Sequence, residues 1–553
     1  MLRFLWFLLL ATPLAAQPTV LHNARIYTVD PAQPTAEALA FEDGVLLAVG
    51  DTAAVFAAYP EAARLDAGGR TVVPGLIDAH AHLMNLGASL LQANLAGTAS
   101  KAEVVERLQR FALALPDSAW VLGRGWDQND WPAAADGSYL FPTAADLDAA
   151  FPDRPVWIAR IDGHATWANT AALRAAGIDP AQPAPPNPEG GAVLRDAEGR
   201  PTGVFVDNAE ALVEAFVPPP SELELQLRLE RALEETSRHG LTGVHEAGVD
   251  LATMALYRAM IDAGRFPLRL YGMIGGPGQT LDYICEVRPF ADYGGRLTVR
   301  SVKFYLDGAL GSRGAALLEP YSDDPGNSGL LVTAPSVFQS LVNRAMWCGL
   351  QVNTHAIGDR ANRIALDTYA AAVEETGGGP GRHRVEHAQV IAPEDLPRFA
   401  ALGVIASVQP THATSDRPWA EDRVGPQRIE GAYAWRSLLG SGARLALGSD
   451  FPVEPVSPLL GLYASVTRQD AGGHPEGGWD PEQRLTRAEA LRGFTLDAAY
   501  AAFMEDQVGS LEPGKRADFV VLSRDIMTVP APEILETEVV ATYLDGLPIF
   551  GGL

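Results

Sequence analysis

The chain has 553 residues, of which 47% are hydrophobic and 20% are charged, and its formal net charge at pH 7 is −26. This length fits one large domain with appendages, and the composition is that of a globular protein. The strong negative charge disfavours nucleic acids and anionic membranes as partners. The two cysteines, Cys285 and Cys348, form neither a thiolate zinc motif nor a disulfide framework, although a single bridge between them is possible.

The first sixteen residues have the pattern of a secretory signal. Arg3 precedes an apolar run from Phe4 to Leu10, and small residues end the segment before Gln17. This order is typical of a signal peptide that is cleaved on export, and the apolar run is too short to span a bilayer as a stable helix. An uncleaved anchor is the alternative. We expect cleavage of residues 1–16 near Ala16-Gln17, a periplasmic or secreted location, and no membrane association afterwards.

Short strands separated by turns are predicted at both ends of the chain. Residues 17–72 read as hairpins with a turn at Asp43-Gly44. Residues 508–553 have the same style, with turns at Pro513-Gly514 and Asp545-Gly546. We therefore predict one small composite β-sandwich domain made from 17–72 and 508–553.

Between these ends, strand-like segments alternate with helical ones. The strand-like segments are, in order, "TVVPGLIDAHAH", "LTGVHEAG", "LRLYGMI", "RLTVRSVKFYLDG", "LQVNTHAIG", "HRVEHAQVI", "GVIASVQPTH" and "RLALGSDFPV". Eight strands with intervening helices predict an α/β fold, a (β/α)8 barrel, over residues 73–507. The gap after the first segment is too long for one helix, so it predicts an insertion at about residues 98–235, with Pro-rich turns.

Metal-capable side chains stand at or near the ends of several predicted barrel strands. In "DAHAH", the residues Asp78, His80 and His82 alternate, so they share one face of an extended strand. Later strands contribute Lys303, His355, His387 and Asp450, from strands four, five, six and eight. Barrel enzymes have their active sites at the carboxyl ends of the strands, so we expect these side chains to converge there.

Four imidazoles and a carboxylate can bind one or two divalent ions, with zinc as the expected ion. Two ions need a bridging anion, which the ammonium group of Lys303 cannot supply. A neutral, desolvated lysine amine is nucleophilic, and its reaction with CO2 would give a carbamate, in effect a long carboxylate. The expected metal site consists of His80, His82, His355, His387 and Asp450, with a carbamylated Lys303 as the bridge of a two-metal form.

The motifs "DAHAH", "VKFYLDG", "NTHAIGDRA", "RVEHAQ" and "LGSDFPV" resemble those of the amidohydrolase superfamily. With "GRGWDQNDW", "IDGHATWANTAAL", "PTGVFVDNA", "DGALGSRGA" and "GSLEPGKRADFVVL", the chain is similar to the amidohydrolase family 3 branch, which contains N-substituted formamide deformylase-like proteins. The resemblance implies a metal-bearing barrel with a composite β-sandwich. It also implies that the four histidines and Asp450 are metal-site positions and that Lys303 matches the carbamylated lysine position.

With this resemblance, the site predicts hydrolysis of a non-peptide C–N bond in an amide, formamide, cyclic amide or urea. A divalent ion would activate water and polarise a carbonyl, and Asp450 would take the proton and later give it to the leaving nitrogen. An ester or lactone would suit the same chemistry. Deamination is another alternative, although Gly358 stands where superfamily deaminases commonly place a Glu. A silent secreted binding protein is the alternative from a different class.

Further residues are assigned by their position. Substrate contacts are predicted at His164, Asp307 and Arg313, each with a structural alternative: a loop cap, a turn and an ion pair, respectively. His245 ends strand two and could face the mouth. The histidines without such a position are predicted to be structural, namely His22, His239, His383, His412 and His474.

Three tryptophans of the insertion, Trp126, Trp131 and Trp167, allow two interpretations. They could line an apolar pocket, which would suit an N-aryl or N-alkyl amide, or they could pack in a core. The expected partner is a small amide-type substrate whose structure cannot be read from the sequence, and association into a homo-oligomer stays open.

Overall fold

The computed structural model describes residues 17–133 and 140–553. The predicted signal peptide, residues 1–16, lies outside the described residues. Within the described ranges, no helix is both long enough and apolar enough to cross a membrane.

The N-terminal residues form short strands and one helix. These are β1 (Thr19–His22), β2 (Arg25–Tyr27), β3 (Thr35–Ala36), β4 (Ala38–Glu42), β5 (Val45–Gly50), α1 (Thr52–Ala58), β6 (Ala63–Asp66) and β7 (Thr71–Pro74). Four of them form a sheet in the order β5-β4-β1-β6. The first barrel strand, β8 (Leu76–Ala81), and the helix α2 (Leu83–Ser89) follow.

The insertion after β8 has a sheet and a core of its own. Its elements are β9 (Ala93–Asn94), α3 (Lys101–Ala112), β10 (Val121–Trp126), α4 (Ala144–Asp148), β11 (Val156–Arg160), β12 (Ala165–Ala168), α5 (Thr170–Ala175), β13 (Gly191–Arg195), β14 (Pro201–Asp207) and α6 (Ala211–Glu214). The six strands pair in the order β13-β14-β12-β11-β10-β9. Helix α3 begins where the Ser100 side chain accepts a hydrogen bond from the Glu103 backbone N–H, which satisfies one of the free N–H groups of the first turn.

The rest of the barrel alternates strands and helices. The elements are α7 (Glu222–Arg238), β15 (Leu241–Val249), α8 (Leu251–Asp262), β16 (Arg269–Gly275), α9 (Gln279–Val287), β17 (Phe290–Tyr293), β18 (Leu297–Tyr305), α10 (Pro335–Trp347), β19 (Gln351–Ala356), α11 (Asp359–Thr376), β20 (Arg384–His387), α12 (Leu396–Leu402), β21 (Ile405–Val408), α13 (Pro410–Arg428, broken at Gly425), α14 (Trp435–Gly440), β22 (Arg444–Leu447) and α15 (Pro458–Thr467). Eight parallel strands run in the order β8-β15-β16-β18-β19-β20-β21-β22 and form a nearly closed barrel. They are the eight predicted segments, so the predicted fold is confirmed.

The C-terminal residues return to the N-terminal end of the chain. They form α16 (Arg487–Gly493), α17 (Leu496–Ala501), β23 (Phe519–Leu522), β24 (Val539–Leu544) and β25 (Leu547–Gly551). Strands from the two ends of the chain share a six-stranded sheet in the order β25-β24-β23-β7-β2-β3. Strand β7 leads directly into β8, so this sheet is anchored to the first barrel strand.

The barrel closes between β8 and the turn after β22. The Asp78 carboxylate accepts hydrogen bonds from the Ser449 backbone N–H at 3.1 Å and from the Ser449 hydroxyl at 2.6 Å. One residue on, the Asp450 N–H donates to the His80 carbonyl oxygen at 2.8 Å. The Asp78 carboxylate therefore joins the first strand to the turn after the last strand. The next two residues of the alternation, His80 and His82, place their imidazoles at the barrel mouth.

Cys285 in α9 and Cys348 at the end of α10 form a disulfide that joins positions 63 residues apart. Replacing both cysteines by serine is expected to lower the free energy of unfolding by about 2–4 kcal/mol, because the bridge limits the freedom of the unfolded chain. Urea unfolding of the double variant beside the oxidised and the reduced wild-type protein measures this effect. Equal transition midpoints for all three would contradict it.

Candidate active site

The predicted ligands of β8, β20 and the turn after β22 meet around one carboxylate. The Nε2 atoms of His80 and His82 lie 3.6 Å and 3.3 Å from Oδ1 of Asp450. Nδ1 of His387 lies 4.0 Å from Oδ2 of Asp450. The ring of His387 is 4.6 Å from that of His355 and 4.8 Å from that of His80, centroid to centroid. The five side chains are thus brought together at the carboxyl end of the barrel.

Lys303 reaches the same cluster from β18. Its Nζ lies 3.3 Å from Nε2 of His80 and 4.4 Å from the centre of the Tyr305 ring. The residue is 1% exposed. Within the described residues no carboxylate oxygen lies within 4.0 Å of this nitrogen, so an ammonium group here would be buried without an ion-pair partner, which costs free energy.

The protonation states of the cluster suit metal binding. Burial lowers the pKa values of His80, His355 and His387 well below the usual range, so these imidazoles are neutral and keep a lone pair. Burial alone would raise the pKa of Asp450, but the contact with the imidazole of His82, at 3.3 Å, outweighs it and lowers this pKa below its usual range. Neutral imidazole and ionised carboxylate are the ligand forms of these side chains.

Buried polar atoms that lack hydrogen-bond partners also make the cluster suitable for a divalent ion. One ligand atom each from His80, His387 and Asp450 can be chosen so that all lie within 4.8 Å of one another. Oδ1 of Asp450 and Nε2 of His412 are buried and have no hydrogen-bond partner in the described part of the chain. Buried polar atoms are nearly always satisfied, and a cation bound among these atoms would satisfy them.

Buried polar groups behind the cluster orient two of the imidazoles. Nδ1 of His80 lies 2.5 Å from Oε2 of Glu386, and Nδ1 of His387 lies 2.8 Å from the side-chain oxygen of Gln409. Donation of Nδ1–H to these oxygens leaves each Nε2 free as a ligand. Glu386 also forms an ion pair with Arg384, at 2.7 Å.

Replacing Glu386 by Gln is expected to weaken metal binding about 10- to 100-fold, because second-layer carboxylates that hold a ligand imidazole contribute about that much. Competition with a chromophoric chelator measures the affinity without any need for turnover. Glu375→Gln is the matched control, since Glu375 is exposed on α11. Equal affinities of Glu386→Gln and the control would contradict the role assigned to Glu386.

His245, which could have faced the mouth, lies behind the cluster instead. Its Nδ1 is 3.0 Å from Nη1 of Arg384, and its ring packs 5.2 Å from that of Tyr271. The residue is 2% exposed. It therefore supports the arginine that pairs with Glu386 and does not line the cavity described below.

The three predicted substrate contacts differ in their positions. His164 lines the cavity, with Nδ1 at 2.7 Å from Asp207 and its ring 5.0 Å from that of His355. Asp307 is buried and accepts backbone N–H groups of Ala316, Ile357 and Gly358, at 2.8, 3.0 and 2.8 Å. Arg313 pairs with Asp323 at 2.9 Å and is not part of the cavity lining. Asp307 and Arg313 are thus engaged by other groups of the protein, and their contact with substrate stays a prediction.

His412, which was predicted to be structural, lies beside the cluster. Its Nε2 lies 3.8 Å from Oδ2 of Asp450, and its ring stacks 5.9 Å from that of His387. The residue follows β21 within "SVQPTH", so its position just after strand seven was the signal that could have identified it.

The cluster forms the floor of a cavity of about 570 Å³, a volume typical of a small-molecule site. The insertion contributes Arg124, Asp127, Asp130, Arg160, Asp162 and His164 to the lining. Helix α13 adds His412, Ser415, Asp416 and Trp419. The insertion therefore covers part of the barrel mouth.

Trp126, Trp131 and Trp167 of the insertion are core residues. Trp126 and Trp167 are fully buried, and Trp131 is 6% exposed. Their rings pack on one another with centroids 5.9 to 6.2 Å apart, and none of them lines the cavity. Among the described residues, the large aromatic side chains that do line it are Tyr305 and Trp419.

A barrel with imidazoles, a carboxylate and a buried lysine at its mouth defines a metal-dependent hydrolase. Residues 64–550 match the family model described as "Amidohydrolase family", and the chain belongs to that family.

Known proteins of this kind align with nearly the whole chain. One relative is YtcJ of Bacillus subtilis (strain 168), which is provisionally named an amidohydrolase. It is 33% identical over 543 residues, which cover 96% of this chain and 98% of YtcJ. The N-substituted formamide deformylase of Arthrobacter pascens is 30% identical over 547 residues, or 95% of this chain and 97% of the deformylase. The crystal structure of an uncharacterized metal-dependent hydrolase from Pyrococcus horikoshii OT3 superposes with a TM-score of 0.74 at 29% identity, covering 93% of this chain and 99% of that one.

Proposed function

We propose that this protein is an exported hydrolase that cleaves a non-peptide C–N bond in a small amide, formamide, cyclic amide or urea. The observation that carries the proposal is the Asp450 carboxylate among the imidazoles of His80, His82 and His387, on the floor of a cavity of about 570 Å³. The choice of a C–N bond is supported by the similarity to the formamide deformylase.

A divalent ion, zinc in our proposal, would be held by His80, His82, His355, His387 and Asp450, and it would lower the pKa of water and polarise the substrate carbonyl. The protein's own contribution is proton transfer and orientation. Ionised Asp450 accepts the proton of the attacking water and delivers it to the leaving nitrogen. His164, whose Nδ1 is held by Asp207, directs its other ring nitrogen to the substrate.

We also propose that Lys303 is carbamylated in a two-metal form. In this step the lone pair of Nζ, in its unprotonated form, adds to the carbon of CO2, and one N–H proton of the adduct is released to solvent. The product is an anion at the place where the buried nitrogen has no carboxylate partner among the described residues. The alternative is a neutral amine beside a single ion.

Export is supported by two separate features. The pattern of residues 1–16 is that of a cleaved signal peptide. The bridge between Cys285 and Cys348 is of the kind that forms and persists in oxidising compartments.

The test of the proposed function is metal analysis of protein purified without chelators, followed by a substrate panel. We expect bound divalent metal and turnover of at least one amide, formamide, cyclic amide or urea. Activity should be lost with a chelator and restored by Zn2+. Turnover of esters or lactones alone, or ammonia release from ring amines alone, would favour the alternative reactions, and absence of both metal and turnover would favour a binding protein.

A further inference from the structure

The cavity contains two arginines of the insertion whose surroundings differ. Arg160 on β11 is neutralised by Asp127, whose Oδ1 lies 2.5 Å from Nη2, and by Asp162, which contacts Nη1. Arg124 on β10 lines the same cavity, but within the described residues no carboxylate oxygen lies within 4.0 Å of its guanidinium. One of the two cations therefore lacks an ion-pair partner.

The hydrogen bonding of Arg124 is also incomplete. Its Nη2 donates to the carbonyl oxygen of Ile161 at 2.9 Å, while its Nε is buried without a partner in the described part of the chain. A guanidinium carries five N–H donors, so most of the donors of Arg124 have no acceptor among the described residues. The nearby Asp162 is already engaged by Arg160 and by the backbone N–H of His164, at 3.0 Å.

The backbone beside Arg124 is shaped to let the guanidinium lie close. Gly163 has φ of +73°, and a Cβ atom at this position would stand 3.2 Å from Nη1 and 3.3 Å from Nη2. A larger residue would be strained there and would press on the guanidinium. The planar fork of an arginine is the group that binds carboxylates through two parallel hydrogen bonds.

We propose that Arg124 binds a carboxylate of the substrate, so that the substrate class is an N-acyl amino acid or another amide that bears one carboxylate. That the substrate is an amide rests on the proposed hydrolysis. That it bears a carboxylate rests on Arg124 alone.

The experiment compares N-formylphenylalanine, each enantiomer separately, with N-formyl-2-phenylethylamine, which differs by the absence of the carboxylate. With the metal-loaded full-length protein, we expect a higher kcat/KM for one enantiomer of the acid than for the neutral amide. Arg124→Gln should raise KM for the acid about 10- to 100-fold, the range for a hydrogen-bonded charged group, a larger factor than the change in KM for the neutral amide. The KM of Arg124→Lys for the acid should lie between those of the wild type and of Arg124→Gln, because lysine keeps the charge but lacks the planar fork of the guanidinium.

The control variant is Arg110→Gln, which removes the same charge from an exposed position on α3. It should leave both substrates unchanged. The proposal would be overturned if Arg124→Gln lost kcat/KM equally for the acid and for the neutral amide, or if the wild type had the higher kcat/KM for the neutral amide. If Arg124→Gln does not fold, as judged by its thermal transition, Arg124→Lys carries the comparison.

A binding measurement separates this inference from the proposed reaction. Calorimetry with 3-phenylpropionate and 3-phenylpropan-1-ol requires no turnover. Tighter binding of the acid by wild type than by Arg124→Gln, with no turnover of any amide, formamide, cyclic amide or urea in the panel, would support the carboxylate site and reject the proposed reaction. Equal binding of the acid by both proteins would reject the carboxylate site, whichever amides are hydrolysed.

Discussion

Replacing Asp450 by Asn is expected to lower kcat about 10²- to 10⁴-fold, the range attributed to general acid–base catalysis, and to leave the barrel folded. A carboxamide cannot accept the proton of the attacking water or return it to the leaving nitrogen. The backbone of Asp450 has φ of +63°, a region that Asn tolerates as Asp does, so the turn after β22 should keep its shape. Steady-state kinetics and a thermal transition, measured side by side, separate the two effects.

The charge-matched control is Asp367→Asn, because Asp367 is exposed on α11 and pairs with Arg398 at the surface. Its kinetics should be those of the wild type. Metal content should be recorded for both variants, since Asp450 is also a proposed ligand. A wild-type kcat in Asp450→Asn would remove this residue from the proton-transfer role.

Replacing Lys303 by Ala is expected to reduce the bound metal from two equivalents to one and to lower kcat/KM about a hundredfold or more. A second ion that stabilises transition-state charge contributes several kcal/mol, and each 1.36 kcal/mol is about a tenfold rate. Elemental analysis and kinetics measure both effects. A short carboxylic acid such as propionate should partly restore both, because it can occupy the position of the carbamate.

Two further measurements make the lysine prediction specific. Growth and purification with ¹³C-bicarbonate should give a carbamate resonance in the wild type that is absent from Lys303→Ala. Lys101→Ala, which removes a lysine paired with Asp146 on the insertion, should keep the metal, the rate and the resonance. Full metal content and full rate in Lys303→Ala would mean a site with a single ion, held by the histidines and Asp450 or by some of them.

The eight barrel strands could be predicted because their signals are local. Strand β8 is buried at all six positions, and a parallel strand covered on both faces reads as a short run of mostly apolar residues. Alternation along such a strand also places His80 and His82 on one face. The carboxyl ends of parallel strands meet at the mouth by topology, so Lys303, His355, His387 and Asp450 could be assigned to one site from spacing alone.

Roles that depend on partners far away in the chain could not be predicted in this way. Asp307 and Arg313 were expected to contact substrate, but the first accepts three backbone N–H groups and the second pairs with Asp323. Each side chain had two chemically reasonable uses, and only the packing of loops from different strands shows which protein groups it contacts. The position of His412 has the same origin, because its ring is turned toward Asp450 by the start of helix α13.

The sequence by itself determined the barrel, through the periodicity of its strands, and the family, through its motifs, and it predicted a set of residues able to bind a metal. Only the tertiary structure decided that Cys285 pairs with Cys348 and that Trp126, Trp131 and Trp167 pack in a core. It also decided that Glu386 orients His80 and that Arg124 lacks an ion-pair partner among the described residues. The physical reason is that hydrogen bonds and ion pairs act over only a few ångströms. Their partners stand tens or hundreds of positions apart in the chain, so the pairs become known only once the chain is folded.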